Sequence, residues 1–79
     1  METQTSVLVV DDDEAVRKLC VSIVSNMGYV PLPASSIQVA RTILSYRKAD
    51  LVLLDLRLPD GDGVELLREI KKDHPETQV

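Results

Sequence analysis

Apolar positions along this chain follow two different rhythms. Val7-Leu8-Val9-Val10 is an unbroken apolar run, and so is Leu51-Val52-Leu53-Leu54. A run with no polar alternation suits a strand buried on both faces, as inside a parallel sheet, better than a strand with one wet side. Elsewhere the period lengthens. Val16, Leu19, Cys20, Ile23, Val24 and Met27 recur at helical spacing and predict an apolar stripe on a helix that starts at Glu14. Val39, Ala40, Ile43 and Leu44 predict the buried stripe of a second helix, and Val64, Leu67 and Ile70 that of a third.

The punctuation agrees with these periods. Asp13 is placed to cap the first helix, and Gly28 stands where a left-handed residue closes it. Tyr29-Val30-Pro31-Leu32 reads as a short strand. Pro31 has no N–H to give a ladder, which assigns that strand to a sheet edge. Ser35 or Ser36 can cap the second helix. The stretch from Leu56 to Asp62, with Pro59 and Gly61, reads as a loop. Lys71 and Lys72 suit the negative end of the third helix, Pro75 stops it, and Val79 is in position to open a fourth strand. The order β-α-β-α-β-α predicts an α/β fold with a parallel sheet and right-handed crossovers.

Composition narrows the picture. The 79 residues allow one small domain. With no Trp or Phe, its core must be aliphatic. A net charge of −4 argues against a nucleic-acid-binding face. The longest apolar run is far too short for a bilayer, so no membrane is expected. No basic, apolar leader opens the chain, and the lone Cys20 excludes an internal disulfide. Both features suit the cytoplasm, with Cys20 as a core thiol.

The candidate chemistry is acidic. Asp11-Asp12-Asp13 ends the first apolar strand and Asp55 ends the later one. In open α/β sheets, ligands bind beyond the carboxyl ends of strands where strand order reverses. Neighbouring strands lie about 4.8 Å apart, so end carboxylates on adjacent strands would converge and repel. A hard cation such as Mg²⁺, which takes carboxylate, carbonyl and water oxygens, relieves that repulsion. Such a site can neutralise a phosphoryl group while a carboxylate attacks phosphorus to give an aspartyl phosphate. Asp55, alone at its strand end, is the candidate nucleophile. The plainer reading of Asp11–Asp13 is a solvated turn with a cap, and Asp60 and Asp62 read as turn residues rather than ligands. An EF-hand loop fails on spacing, because Leu56 or Leu58 would occupy a first position that needs an acid.

The two strings Val7-Leu8-Val9-Val10-Asp11-Asp12-Asp13-Glu14 and Leu51-Val52-Leu53-Leu54-Asp55-Leu56-Arg57-Leu58-Pro59-Asp60-Gly61-Asp62-Gly63 together resemble the receiver domains of two-component response regulators. The likeness runs from Val7 to Val79. It implies a flavodoxin-like (CheY-like) doubly wound sheet, here about three of five βα units in strand order 2-1-3. Residues 1–79 would then be an incomplete receiver domain without strands 4–5 and helices 4–5.

The resemblance implies that Asp55 is the phosphoacceptor, served by a sensor histidine kinase. Mg²⁺ would sit on Asp12 directly, on Asp11 largely through water, on Asp55, and on the backbone carbonyl of Arg57. Pro59 and Gly63 would shape the loop. The family's phosphoryl-contacting Ser/Thr and Lys, at the ends of strands four and five, have no counterpart up to Val79. The stretch Lys71–Glu76 resembles receivers joined to a sigma-54-type ATPase, which implies a transcriptional output in the parent protein. The same resemblance implies an open third-strand edge, which invites self-association. Two rivals remain at this stage. One is a phosphorylation-independent interaction module. The other is a haloacid-dehalogenase-like phosphatase with Asp11 as nucleophile and Asp13 as acid, although Ala15 stands where that pattern wants Thr or Val.

Overall fold

The computed structural model describes residues 4–55, 57–58 and 60–79. Strands β1 (Ser6–Val10), β2 (Val30–Ala34) and β3 (Leu51–Leu54) form a parallel sheet in the order β2-β1-β3. Helices α1 (Glu14–Asn26), α2 (Ile37–Tyr46) and α3 (Gly63–Asp73) connect and follow them. The α/β fold and its strand order are those expected.

Central β1 explains its own sequence: Val7, Leu8, Val9 and Val10 are all buried, so both faces must be apolar. β2 pairs with β1 alone, from Ser6↔Val30 to Val10↔Ala34, and so takes the edge position that Pro31 requires. It runs two residues beyond the expected Leu32, through Pro33 to Ala34, and leaves Tyr29 outside. Proline's fixed φ is compatible with extended backbone, so neither proline ends the strand.

The helix ends are capped as their sequences require. Asp13 accepts the N–H groups of Ala15 and Val16 at 2.9 and 3.1 Å. At the other end of α1, Gly28 adopts φ 87°. Its N–H donates to the Ser25 carbonyl and that of Tyr29 to the Val24 carbonyl, a Schellman closure. Ser36, rather than Ser35, caps α2 through Val39 N–H, and Asp62 caps α3 through Val64 N–H.

Three expectations about packing need correction. Of the α1 stripe only Val24 is buried; Val16, Leu19, Ile23 and Met27 are 41%, 61%, 51% and 60% exposed, and Cys20 is only half-buried. The helix rests on β1 and β2, and nothing among the described residues covers the far side of its stripe. In α2, Ile37 faces inward with Ala40 and Leu44, while Val39 is exposed. In α3, Leu66 joins Ile70 in the core, and Val64 and Leu67 are only half-buried.

The stretch read as a loop holds a two-stranded antiparallel hairpin, β4 (Arg57–Leu58) with β5 (Gly61–Asp62), and Leu58 enters the core. Pro59 lies outside the described residues. Near the C-terminus it is Gln78, not Val79, that bridges to Leu51 in parallel fashion. Val52 N–H donates to the Gln78 carbonyl at 2.8 Å, and Gln78 N–H to the Asp50 carbonyl at 3.0 Å. Buried Thr77 anchors this segment through its hydroxyl on the Ala49 carbonyl at 2.7 Å. The outer edge of β3 therefore carries one rung of further pairing. No helix among the described residues is long and apolar enough to cross a membrane.

Candidate metal centre

Register builds this site. Val10 and Leu54 are direct partners on adjacent parallel strands, so Asp11 and Asp55 leave the sheet side by side at its carboxyl end. The Asp55 N–H donates to the Val10 carbonyl at 2.9 Å, which extends the ladder by one bond and fixes where Asp55 departs. On its other side, Asp11 N–H donates to the Ala34 carbonyl at 3.1 Å. Asp11 also folds the chain back on itself: its Oδ1 accepts the Asp13 N–H at 2.9 Å and so shapes the turn into α1.

One carboxylate oxygen from each of Asp11, Asp12 and Asp55 lies within 4.8 Å of the others. Asp11 and Asp55 are half-buried and Asp12 is exposed, so the cluster opens to water on one side. Val9, Val10, Leu53 and Leu54 line the cleft that holds Asp11 and Asp55.

The donor chemistry fits a hard divalent cation: every side-chain donor is a carboxylate oxygen, and the open side leaves room for waters. Two oxygens bound to one Mg²⁺ at about 2.0–2.1 Å lie roughly 3 to 4.2 Å apart. Donors separated by up to 4.8 Å therefore reach a shared Mg²⁺ with a small inward movement, or with one of them acting through water.

Arg57 lies in β4, two residues beyond Asp55. Gly63 opens α3 and is buried there. Asp13, the acid of the phosphatase reading, is committed to α1, its Oδ1 accepting two of that helix's N–H groups. Asp62 is likewise a cap, on α3.

Two features were not foreseen. The Arg17 guanidinium donates to the Asp11 carbonyl at 2.9 Å and brings a cation next to the acidic turn. Asp60, taken as a turn residue, reaches α2: its two oxygens accept Ile37 N–H and Gln38 N–H, each at 3.0 Å. Those hydrogen bonds, from Gln38 first and Ile37 second, hold its carboxyl below the ordinary range. Neither contact leaves a local sequence signal, because one depends on how the chain turns into α1 and the other spans the crossover from α2 to β3.

Comparison with known proteins agrees with the fold. The profile of the response regulator receiver domain matches residues 7–79. The chain belongs to that family, the receiver domains of two-component response regulators. It is 37% identical over 68 residues to the KDP operon transcriptional regulatory protein KdpE of Escherichia coli, covering 86% of this chain and 30% of KdpE. The receiver domain protein (CheY-like) of Methanospirillum hungatei superposes with a TM-score of 0.91 at 29% identity, over 95% of this chain and 60% of that one. The response regulator TrrA of Thermotoga maritima, solved in complex with Mg(2+)-BeF, gives 0.87 at 30% identity, over 94% of this chain and 64% of TrrA. The chain thus spans under a third of its curated relative and under two thirds of the solved receivers.

Proposed function

We propose that residues 1–79 form the phosphoacceptor portion of a receiver domain, with Asp55 accepting a phosphoryl group from a phosphohistidine of a sensor histidine kinase. The convergence of Asp11, Asp12 and Asp55 at the ends of β1 and β3 carries this reading. An Asp55 oxygen attacks phosphorus as the phosphorus–nitrogen bond of the phosphohistidine breaks. The bonding pair stays on the imidazole, which takes up a proton from solvent. Asp12, Asp55, the Arg57 carbonyl and, through water, Asp11 would hold a Mg²⁺ ion, which would supply positive charge for the phosphoryl oxygens. Gly63, buried where α3 opens, bounds the stretch that follows Asp55. In the full-length parent this event regulates a transcriptional output. This chain also self-associates through the outer edge of β3 beyond the Gln78 rung.

Incubation with a small acyl phosphate and Mg²⁺, followed by intact-mass measurement, tests the reading. A single added phosphate, lost in Asp55→Asn and on chelation of the ion, is the expected result. An adduct that survives Asp55→Asn removes the assignment. No adduct even on the full-length parent leaves the phosphorylation-independent interaction module as the better description. Size exclusion with light scattering tests the self-association: a compact monomer at micromolar concentration overturns it.

A further inference from the structure

Asp60 sits in the turn of the β4–β5 hairpin, between Asp55 and α3. Its carboxylate spans the first two N–H groups of α2, at 3.0 Å from each. Such groups have no partner within their own helix and lie at the positive end of its dipole. The next free donor, Val39 N–H, goes to Ser36 at 3.1 Å. The capping of α2 is therefore divided between its own Ser36 and a residue from the loop that follows Asp55. That loop also sits tight on the helix: a Cβ added to Gly61 would meet Ile37 Cδ1 at 3.0 Å. Asp55 is held by its N–H on the Val10 carbonyl, and Asp60 by its carboxylate on α2. Arg57 lies between those two fixed points.

We infer that Asp60 is a positioning residue for the acidic site: by gripping the α2 N-terminus it holds the β4–β5 hairpin, Arg57 included, against that helix, and so sets both the affinity of the site and its preference among divalent cations. The inference rests on the reading of Asp11, Asp12 and Asp55 as a Mg²⁺ site. Mg²⁺ demands near-ideal octahedral geometry, whereas Ca²⁺ accepts six to eight oxygens in flexible arrangements. A loosened loop therefore costs Mg²⁺ more than Ca²⁺. Reciprocity requires the converse, that an ion seated in the cluster tightens the hold of Asp60 on α2.

Titrating the full 79-residue chain with MgCl₂ and separately with CaCl₂, followed by amide NMR, reads both effects and reports folding in the same spectra. Asp60→Ala is expected to weaken Mg²⁺ binding about 10-fold, the usual scale for losing a group that orients ligands. Its effect on Ca²⁺ is expected to be smaller, and Asp60→Asn, which keeps one acceptor oxygen, should fall between. In wild type, exchange of the Ile37 and Gln38 amide hydrogens should slow when Mg²⁺ is added. Unchanged Mg²⁺ affinity in folded Asp60→Ala, or an equal loss for both ions, overturns the inference while leaving the metal site intact. Should Asp60→Ala not fold, the wild-type exchange decides, and unchanged protection of the two amides overturns the proposal. Wild type that binds no Mg²⁺ removes the metal reading as well.

Discussion

On one side of the sheet Leu8 and Val10 enter a layer closed by α2, α3 and the hairpin, with Ile37, Ala40, Leu44, Leu66 and Ile70 packed around them. On the other side Val7 and Val9 meet buried Val24 and the half-buried Cys20 and Leu51, while Leu19, Ile23 and Met27 stay open to water. Both faces are equally apolar in sequence, so composition does not separate them. What separates them is cover. Two helices and a hairpin fill one face, whereas a single helix cannot span the other, and an apolar groove of about 250 Å³ remains between α1 and β3.

The sharpest way to break this contrast is by truncation on each side. Leu66→Ala, at a residue 1% exposed, should cost about 2–5 kcal/mol in urea denaturation, whereas Leu19→Ala on α1 should cost about 0.5 kcal/mol or less. Equal losses would mean that the α1 face is covered in solution. Next in size, Leu53→Lys, at a half-open position of β3, should lower the apparent mass in light scattering with little change in the unfolding midpoint. An unchanged mass would move the self-association elsewhere.

Acid should loosen the closed side. Asp60 is held low by the α2 N–H groups, and Glu69 by its hydrogen bonds with Arg41 at 2.6 and 3.0 Å. Carboxylates with lowered values stabilise the fold above their ordinary range, and that contribution is lost as pH falls through the lowered values. The protection of the α2 amides, taken relative to the intrinsic exchange rate at each pH, should therefore fall in that acid window. The smallest effect belongs to Arg41→Lys. It breaks the bidentate geometry with Glu69, but both side chains are nearly half exposed, so the urea midpoint should move only slightly.

Much of this was legible in the sequence because it rests on local rules. Unbroken apolar runs marked β1 and β3, and Asp13, Gly28 and the pair Ser35-Ser36 marked helix ends through their own capping chemistry. The gathering of Asp11 and Asp55 followed once strand order was taken from the family resemblance. The remainder depends on tertiary placement. Periodicity says that α1 has an apolar side but not whether anything lies against it. Adjacent Leu66 and Leu67 both fit a helical stripe, and only the packing of α3 against the rest of the core shows that Leu66 is the one that turns inward. The grip of Asp60 on Ile37 and Gln38 joins residues with no relation in spacing.

Because Leu51–Leu54 offers apolar side chains to either side, a slide of β3 by one position would meet little resistance from burial itself. Alignment must come from the strand's lower end, where Asp50 clasps Ser6 twice: its carboxylate receives the Ser6 N–H at 2.8 Å and its own N–H goes to the Ser6 carbonyl at 2.9 Å. A slip would carry Asp55 about 3.3 Å along the strand axis, out of step with Asp12. Asp50, at the opposite end of β3 from the acids, is in this sense the peg that keeps them level.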